Sequence, residues 1–122
     1  MKITSFNPII MTKDAKAVTD LFEELGFELR HTKGGFNKEN VTIYDMKNAD
    51  GFRVDVSQKD GLEQDGLVIR MNVDNINEAY ELLKAHGFRN VRGDEIEDSG
   101  SSKTALMVSP TGYCIRVIQH TK

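Results

Sequence analysis

At 122 residues the chain is expected to form one compact domain, because two halves of about 60 residues would each be marginal if they folded apart. Its 16 basic and 19 acidic residues are interspersed and give a net charge of −3, so no basic stripe exists for a nucleic acid partner. The single cysteine, Cys114, excludes an intrachain disulfide and a cysteine-rich zinc module, and no apolar run approaches the ~20 residues of a membrane span.

Ile3 to Met11 reads as a strand, with Pro8 at an edge or bulge where a missing amide donor is tolerable. From about Lys13 to Leu25, the residues Ala15, Val18, Leu21, Phe22 and Leu25 recur at helical spacing and predict one apolar stripe facing a sheet or another helix. Gly26 stands where a left-handed cap would end that helix. Phe27, Leu29 and His31 then alternate with Glu28 and Arg30, Gly34-Gly35 opens a loop, and Val41 to Met46 is a further strand. After the turn Asn48 to Gly51, Phe52, Val54 and Val56 alternate with Arg53, Asp55 and Ser57, which predicts one apolar and one polar face.

Gly61 to Gly66 is a short polar connection, and the order then repeats. Strand Leu67 to Val73 is followed by a helix over about Ile76 to Ala85, a strand near Phe88 to Arg92, strand Thr104 to Val108, and strand Tyr113 to Ile118 after a turn at Ser109 to Gly112. Gly93 to Lys103 is polar enough to predict a mobile surface loop.

The repetition extends to individual residues. Gly26-Phe27 recurs as Gly87-Phe88 and Gly51-Phe52-Arg53-Val54-Asp55-Val56 as Gly112-Tyr113-Cys114-Ile115-Arg116-Val117, both 61 residues later; Leu21 with Leu82 and Met46 with Met107 keep the same offset. The chain therefore reads as two βαβββ modules, about 1–60 and about 62–122, within one α+β domain.

A doubled βαβββ unit closing on Ser109-Pro110-Thr111-Gly112-Tyr113-Cys114-Ile115-Arg116-Val117-Ile118 resembles the vicinal oxygen chelate superfamily of glyoxalase I, bleomycin resistance proteins and extradiol dioxygenases. That family's final hairpin reads Asp-Pro-Asp-Gly-aromatic-x-apolar-Glu-apolar, and the Pro, Gly, aromatic and apolar positions match. The resemblance spans essentially the whole chain. It implies a curled mixed sheet with a concave cleft, and a chemistry the fold alone does not specify.

The family's enzymes hold a divalent metal through a His or Glu in the first strand of each module and a Glu in the last. By the resemblance these positions fall at Phe6, at Val68 (or Leu67), at Asp55 and at Arg116. Only Asp55 can ligate a metal, and Arg116 would repel one, so neither a metal nor another cofactor is expected. His31, His86 and His120 read as surface or helix-terminus residues and do not replace the ligands. Asp55 and Arg116, at repeat-related positions, are expected to form an ion pair where relatives place metal; the alternative has both reaching solvent from a shallow sheet face.

Alternation puts Arg53, Asp55 and Ser57 on the face away from the helix, together with Val68, Arg70 and Asn72 and with Cys114, Arg116 and Ile118. Arg53 and Arg70 suit a carboxylate or phosphate, although an arginine on a sheet is more often simply solvated. Phe6, Pro8 and Ile10 could wall a flat ligand, and core packing explains them equally. Cys114 has no histidine placed to activate it and reads as a half-buried packing residue. No phosphate-cradling glycine loop, nucleophile elbow or His-Glu-x-x-His helix occurs.

The expected function is the binding of a small organic molecule, anionic or aromatic, without a catalytic metal, at Phe6, Arg53, Asp55, Val68, Arg70, Cys114 and Arg116. The alternatives are a metal-dependent lyase or dioxygenase with non-standard ligands, and a non-catalytic module whose cleft its own side chains fill. A homodimer is expected by resemblance, with Ile3 to Met11 and Leu67 to Val73 as contact surface. No stretch resembles a signal peptide, so the cytoplasm is the expected compartment.

Overall fold

Two helices and nine strands form among the described residues, 1–33 and 41–121 of a computed structural model. In chain order they are β1 (Ile3–Thr12), α1 (Ala15–Glu24), β2 (Phe27–Lys33), β3 (Thr42–Asn48), β4 (Arg53–Gln58), β5 (Gly66–Val73), α2 (Ile76–Ala85), β6 (Arg89–Asn90), β7 (Glu97–Asp98), β8 (Ser102–Val108) and β9 (Cys114–His120). The loop expected at Gly34-Gly35 lies outside the described residues. No helix among them is long and apolar enough to cross a membrane.

The chain divides into a first unit, Asn7–Leu67, and a second unit, Met1–Phe6 with Val68–Lys122. The first unit orders its strands β2-β3-β4-β1, with β1 parallel to β4 and the other pairs antiparallel. In the second unit the order is β5-β9-β8-β6, with β5 parallel to β9, and β7 also pairs with β8. Lys2 is held in the second unit by Asp74, whose carboxylate accepts from the Lys2 amide at 2.7 Å and whose own amide donates back at 3.1 Å. The register of β1 with β4 begins at Ile9, directly after Pro8, where an amide hydrogen is first available again.

Each unit buries the apolar face of its sheet beneath one helix. Val54, Val56 and Met46 pack with Ala15 in the first unit, and Ile10, Val18, Phe22, Phe27 and Tyr44 close around them. The second unit does the same with Met71, Val73, Ala105, Met107 and Val117 against Ile76, Ala79 and Tyr80. The repeat-related pair Met46 and Met107 is fully buried in both.

Gly26 and Gly87 end the helices with φ of 101° and 88°, the left-handed conformation that suits glycine. Gly87 has a second reason: a Cβ there would lie 2.8 Å from Pro110 Cγ, whereas a Cβ on Gly26 would meet nothing.

Four expectations need correction. Helix α1 starts at Ala15 rather than Lys13, because the Asp14 side chain caps it by accepting from the Ala17 amide at 3.3 Å. Leu21 and Leu25 are 52% and 60% exposed, since at 100° per residue they lie on the flank of the stripe that Ala15, Val18 and Phe22 centre on the sheet. The strand expected over Phe88 to Arg92 is only Arg89–Asn90: Phe88 turns into the core edge-on to Tyr113, and the buried Asn90 amide donates to Glu95 O at 2.9 Å and toward Tyr80 Oη at 3.4 Å. Gly93 to Lys103 packs and pairs in part, where its polarity predicted an unpacked loop. Ile96 packs on the core, Arg92 pairs with Glu97 at 3.2 Å, β7 pairs with β8, and Ser99 accepts from the Ser102 amide at 3.2 Å.

The helix N-termini share one further device. Gln58 Oε1 accepts from the Ala15 amide at 2.7 Å, and Gln119 Oε1, 61 residues later, accepts from the Ile76 amide at 2.8 Å. Gln58 is the last and Gln119 the penultimate residue of the last strand of its half, and each satisfies a donor that the helix cannot. Gln119→Leu is expected to leave the Ile76 amide unsatisfied and to cost about 1–3 kcal/mol in urea unfolding, while Gln119→Glu, which keeps an acceptor, loses less. Met107→Ala should cost about 2–5 kcal/mol in the same assay, because it empties a fully buried site.

Candidate functional site

Register partners present their side chains on the same face of a sheet, so the residues that turn away from each helix can be read row by row. In the first unit Asp55 of β4 lies between Asp45 of β3 and Ile9 of β1, and His31 of β2 stands beyond Asp45. The next row pairs Arg53 with Lys47. Carboxylates thus adjoin carboxylates and cations adjoin cations, which is unfavourable for directly opposite charges. Diagonal pairing relieves it, for Arg53 Nη1 donates to Asp45 Oδ2 at 3.4 Å.

In the second unit Val68 pairs with Cys114 and Cys114 with Val108, so these three form one row. The row beside it holds Arg70, Arg116 and Leu106, and the one after it Asn72, Ile118 and Thr104. Two guanidinium side chains therefore arise from adjacent strands, ~4.8 Å apart, on one face. Asn72 Oδ1 accepts from Arg70 Nε at 3.1 Å and swings that head along its own strand.

The alternation expected for β4, β5 and β9 is thus observed, and within the second unit four of the candidate residues come together: Val68, Arg70, Cys114 and Arg116. Asp55 and Arg53 share the corresponding face of the first unit. Asp55 is 1% exposed, so the alternative in which it reaches solvent is overturned. Cys114 is half-buried, as expected of a packing residue. Of Phe6, Pro8 and Ile10, Ile10 packs against the core beneath α1, so core packing accounts for it, while Phe6 is 64% exposed. Buried Asn7 and Ile9 take the inward positions of β1 in the first unit instead, Pro8 having obscured the alternation. Asp45, which sequence reading also missed, was accessible from the same rule: Ile43, Asp45 and Lys47 alternate with Tyr44 and Met46.

The residues do not fit the divalent metal that the resemblance implies. Asp55 gains a carboxylate neighbour in Asp45, yet among the described residues no three His, Cys, Asp or Glu side chains come together to hold a metal ion. Arg116, the repeat-related position, stands beside a second arginine.

No family model and no curated protein matches the chain by sequence. Its structure is similar to methylmalonyl-CoA epimerase from Mycobacterium tuberculosis, with a TM-score of 0.75 at 12% identity over 98% of this chain and 90% of that one. It is also similar to a glyoxalase/bleomycin resistance protein/dioxygenase superfamily member from Vibrio splendidus, with a TM-score of 0.65 at 19% identity over 97% and 99% of the two chains. A Streptomyces coelicolor methylmalonyl-CoA epimerase variant in complex with 2-nitronate-propionyl-CoA gives 0.70 at 15% identity over 99% and 100%. The chain has the vicinal oxygen chelate fold.

The Arg53–Asp45 pair is part-exposed, and its contribution follows from that. Arg53→Ala should cost about 1 kcal/mol or less, and the difference should shrink in 1 M salt, where screening acts over ~3 Å. Urea unfolding at low and high salt measures both.

Proposed function

We propose that this protein binds a small organic anion without a catalytic metal, on the second unit's face that bears Arg70 and Arg116. The observation that carries the reading is the register pairing of those two arginines on one face. Planar guanidinium groups bind carboxylate and phosphate oxygens in pairs. Two charge-assisted hydrogen bonds at about 1.5–3 kcal/mol each correspond to dissociation constants near millimolar. The similarity to an epimerase in complex with 2-nitronate-propionyl-CoA, an anionic organic ligand, supports the same class. Among the originally expected contacts, Arg70, Arg116 and Cys114 are the part-exposed members of this face, and Val68 lies buried beside them. A homodimer belongs to this reading, with exposed Ile3 and Phe6 of β1 as apolar contact residues, to be checked by gel filtration.

Burial favours a second reading, the non-catalytic module filled by its own side chains. Asn7, Ile9, Asp55 and Ser57 turn away from α1 and are nonetheless buried, and so are Val68, Thr104 and Ile118 of the second unit.

Thermal unfolding against carboxylates and phosphates separates the two. An anion at 100 times its dissociation constant should stabilise the protein by about 2.7 kcal/mol. Arg116→Gln and Arg70→Gln should each abolish the shift, with Arg70→Lys restoring part of it. No shift with any anion at tens of millimolar would leave the self-filled module, and stoichiometric nickel, zinc, iron or manganese in the purified protein would overturn the metal-free reading.

A further inference from the structure

We infer that Asp60-Gly61 is a site of spontaneous isoaspartate formation, and that the change loosens the N-terminus of α1.

Three Asp-Gly sequences occur in the chain, Asp50-Gly51, Asp60-Gly61 and Asp65-Gly66. In such a pair the glycine amide nitrogen can attack Cγ of the aspartic acid, because no side chain shields it. The nitrogen gives up its proton and the carboxyl group loses an oxygen as water, which closes a cyclic succinimide. Water then opens the ring at either carbonyl. Opening at Cγ restores aspartate, whereas opening at the backbone carbonyl leaves the chain running through Cβ and Cγ. No electrons are transferred, and the mass is unchanged.

The three sites differ in how their turns are held. The Gly51 amide donates to Asn48 O at 3.1 Å, and Asn48 Oδ1 accepts from the amides of Asp50 and Phe52 at 3.1 and 2.9 Å. The reacting nitrogen there is engaged and its turn is fixed on both sides. Gly66 is the first residue of β5, and its amide moves only with that strand. Asp60 and Gly61 are exposed in a turn where Gly61 has a φ of 85° and a Cβ would meet nothing. Among the described residues the Gly61 amide donates to no acceptor. Gln58 Nε2 donates to Asp60 Oδ1 at 3.0 Å, which draws charge from the carboxyl group and favours addition at Cγ.

Gln58 also connects the site to α1. Its Nε2 donates to Lys13 O at 2.7 Å, and its Oε1 accepts from the Ala15 amide at 2.7 Å. After isomerisation the carboxylate sits directly on Cα and the main chain is longer by a carbon. The Asp60 contact with Gln58 is then lost, and the clamp on the Ala15 amide relaxes.

Ageing of the full chain at neutral pH, followed by peptide mapping with an aspartate-specific endoproteinase that does not cut at isoaspartate, measures the rate at each site. Isoaspartate is expected to form about fivefold faster at Asp60 than at Asp50, the equivalent of about 1 kcal/mol or one net hydrogen bond. Asp65 should also lag behind Asp60. In urea, where the turns are gone, the rates at all three should converge. Hydrogen exchange at the Ala15 amide should quicken about fivefold in the aged fraction, again one net hydrogen bond, and stay constant in aged Asp60→Glu, whose longer side chain does not close the succinimide. A native rate at Asp50 or Asp65 matching that at Asp60, a difference that persists in urea, or Ala15 exchange unchanged by ageing would overturn the inference.

Discussion

Side chains of a strand alternate strictly between two faces, and that constraint organises the molecule. Val54 and Val56 can reach Ala15 only if Arg53, Asp55 and Ser57 turn the other way, and Ile115 and Val117 impose the same choice on Cys114, Arg116 and Ile118. A shift of one residue in either strand would bring a carboxylate or a guanidinium beneath a helix, at a cost of several kcal/mol. The candidate site is therefore a consequence of the core: its residues are those that the packing of each helix excludes.

The two halves agree where the backbone makes demands and differ where it makes none. Asp14 and Asn75 cap the helices, Gln58 and Gln119 hold their first amides, and Asn48 and Ser109 close the final turns. Asn48 Oδ1 accepts from the Asp50 and Phe52 amides, and Ser109 Oγ from those of Thr111, Gly112 and Tyr113. The family resemblance places an aspartate at this turn, and amide and hydroxyl oxygens serve as well because the turn needs only an acceptor. On the sheet faces turned away from the helices the repeat-related positions diverge to Asp55 and Arg116.

Periodicity and repetition made most of this legible. Helix α2, the capping glycines, the order of the strands and the faces of β4, β5 and β9 follow from apolar spacing that the structure keeps. What escaped depended on partners distant in sequence. Pro8 hid that Asn7 and Ile9 turn inward, and the segment after Gly93 reads as polar until Ile96 finds the core. The Asp45 carboxylate gained meaning only when the register of β3 set it beside Asp55, and the adjacency of Arg70 and Arg116 likewise required the parallel register of β5 and β9. Sequence gives a strand its faces, but pairing decides which residues become neighbours.

Duplication alone would make a symmetric site, with equivalent donors from each half converging on a shared ion. This chain retains the duplicated scaffold and assigns its equivalent positions opposite charge: Asp45 and Asp55 form an acidic pair in one unit, Arg70 and Arg116 a basic pair in the other. Arginine cannot ligate a metal ion, so the second unit's pair offers no donor equivalent to Asp55. An organic anion makes no such demand. On the proposed reading it needs only guanidinium donors, and a single half of the molecule carries two arginines on one face.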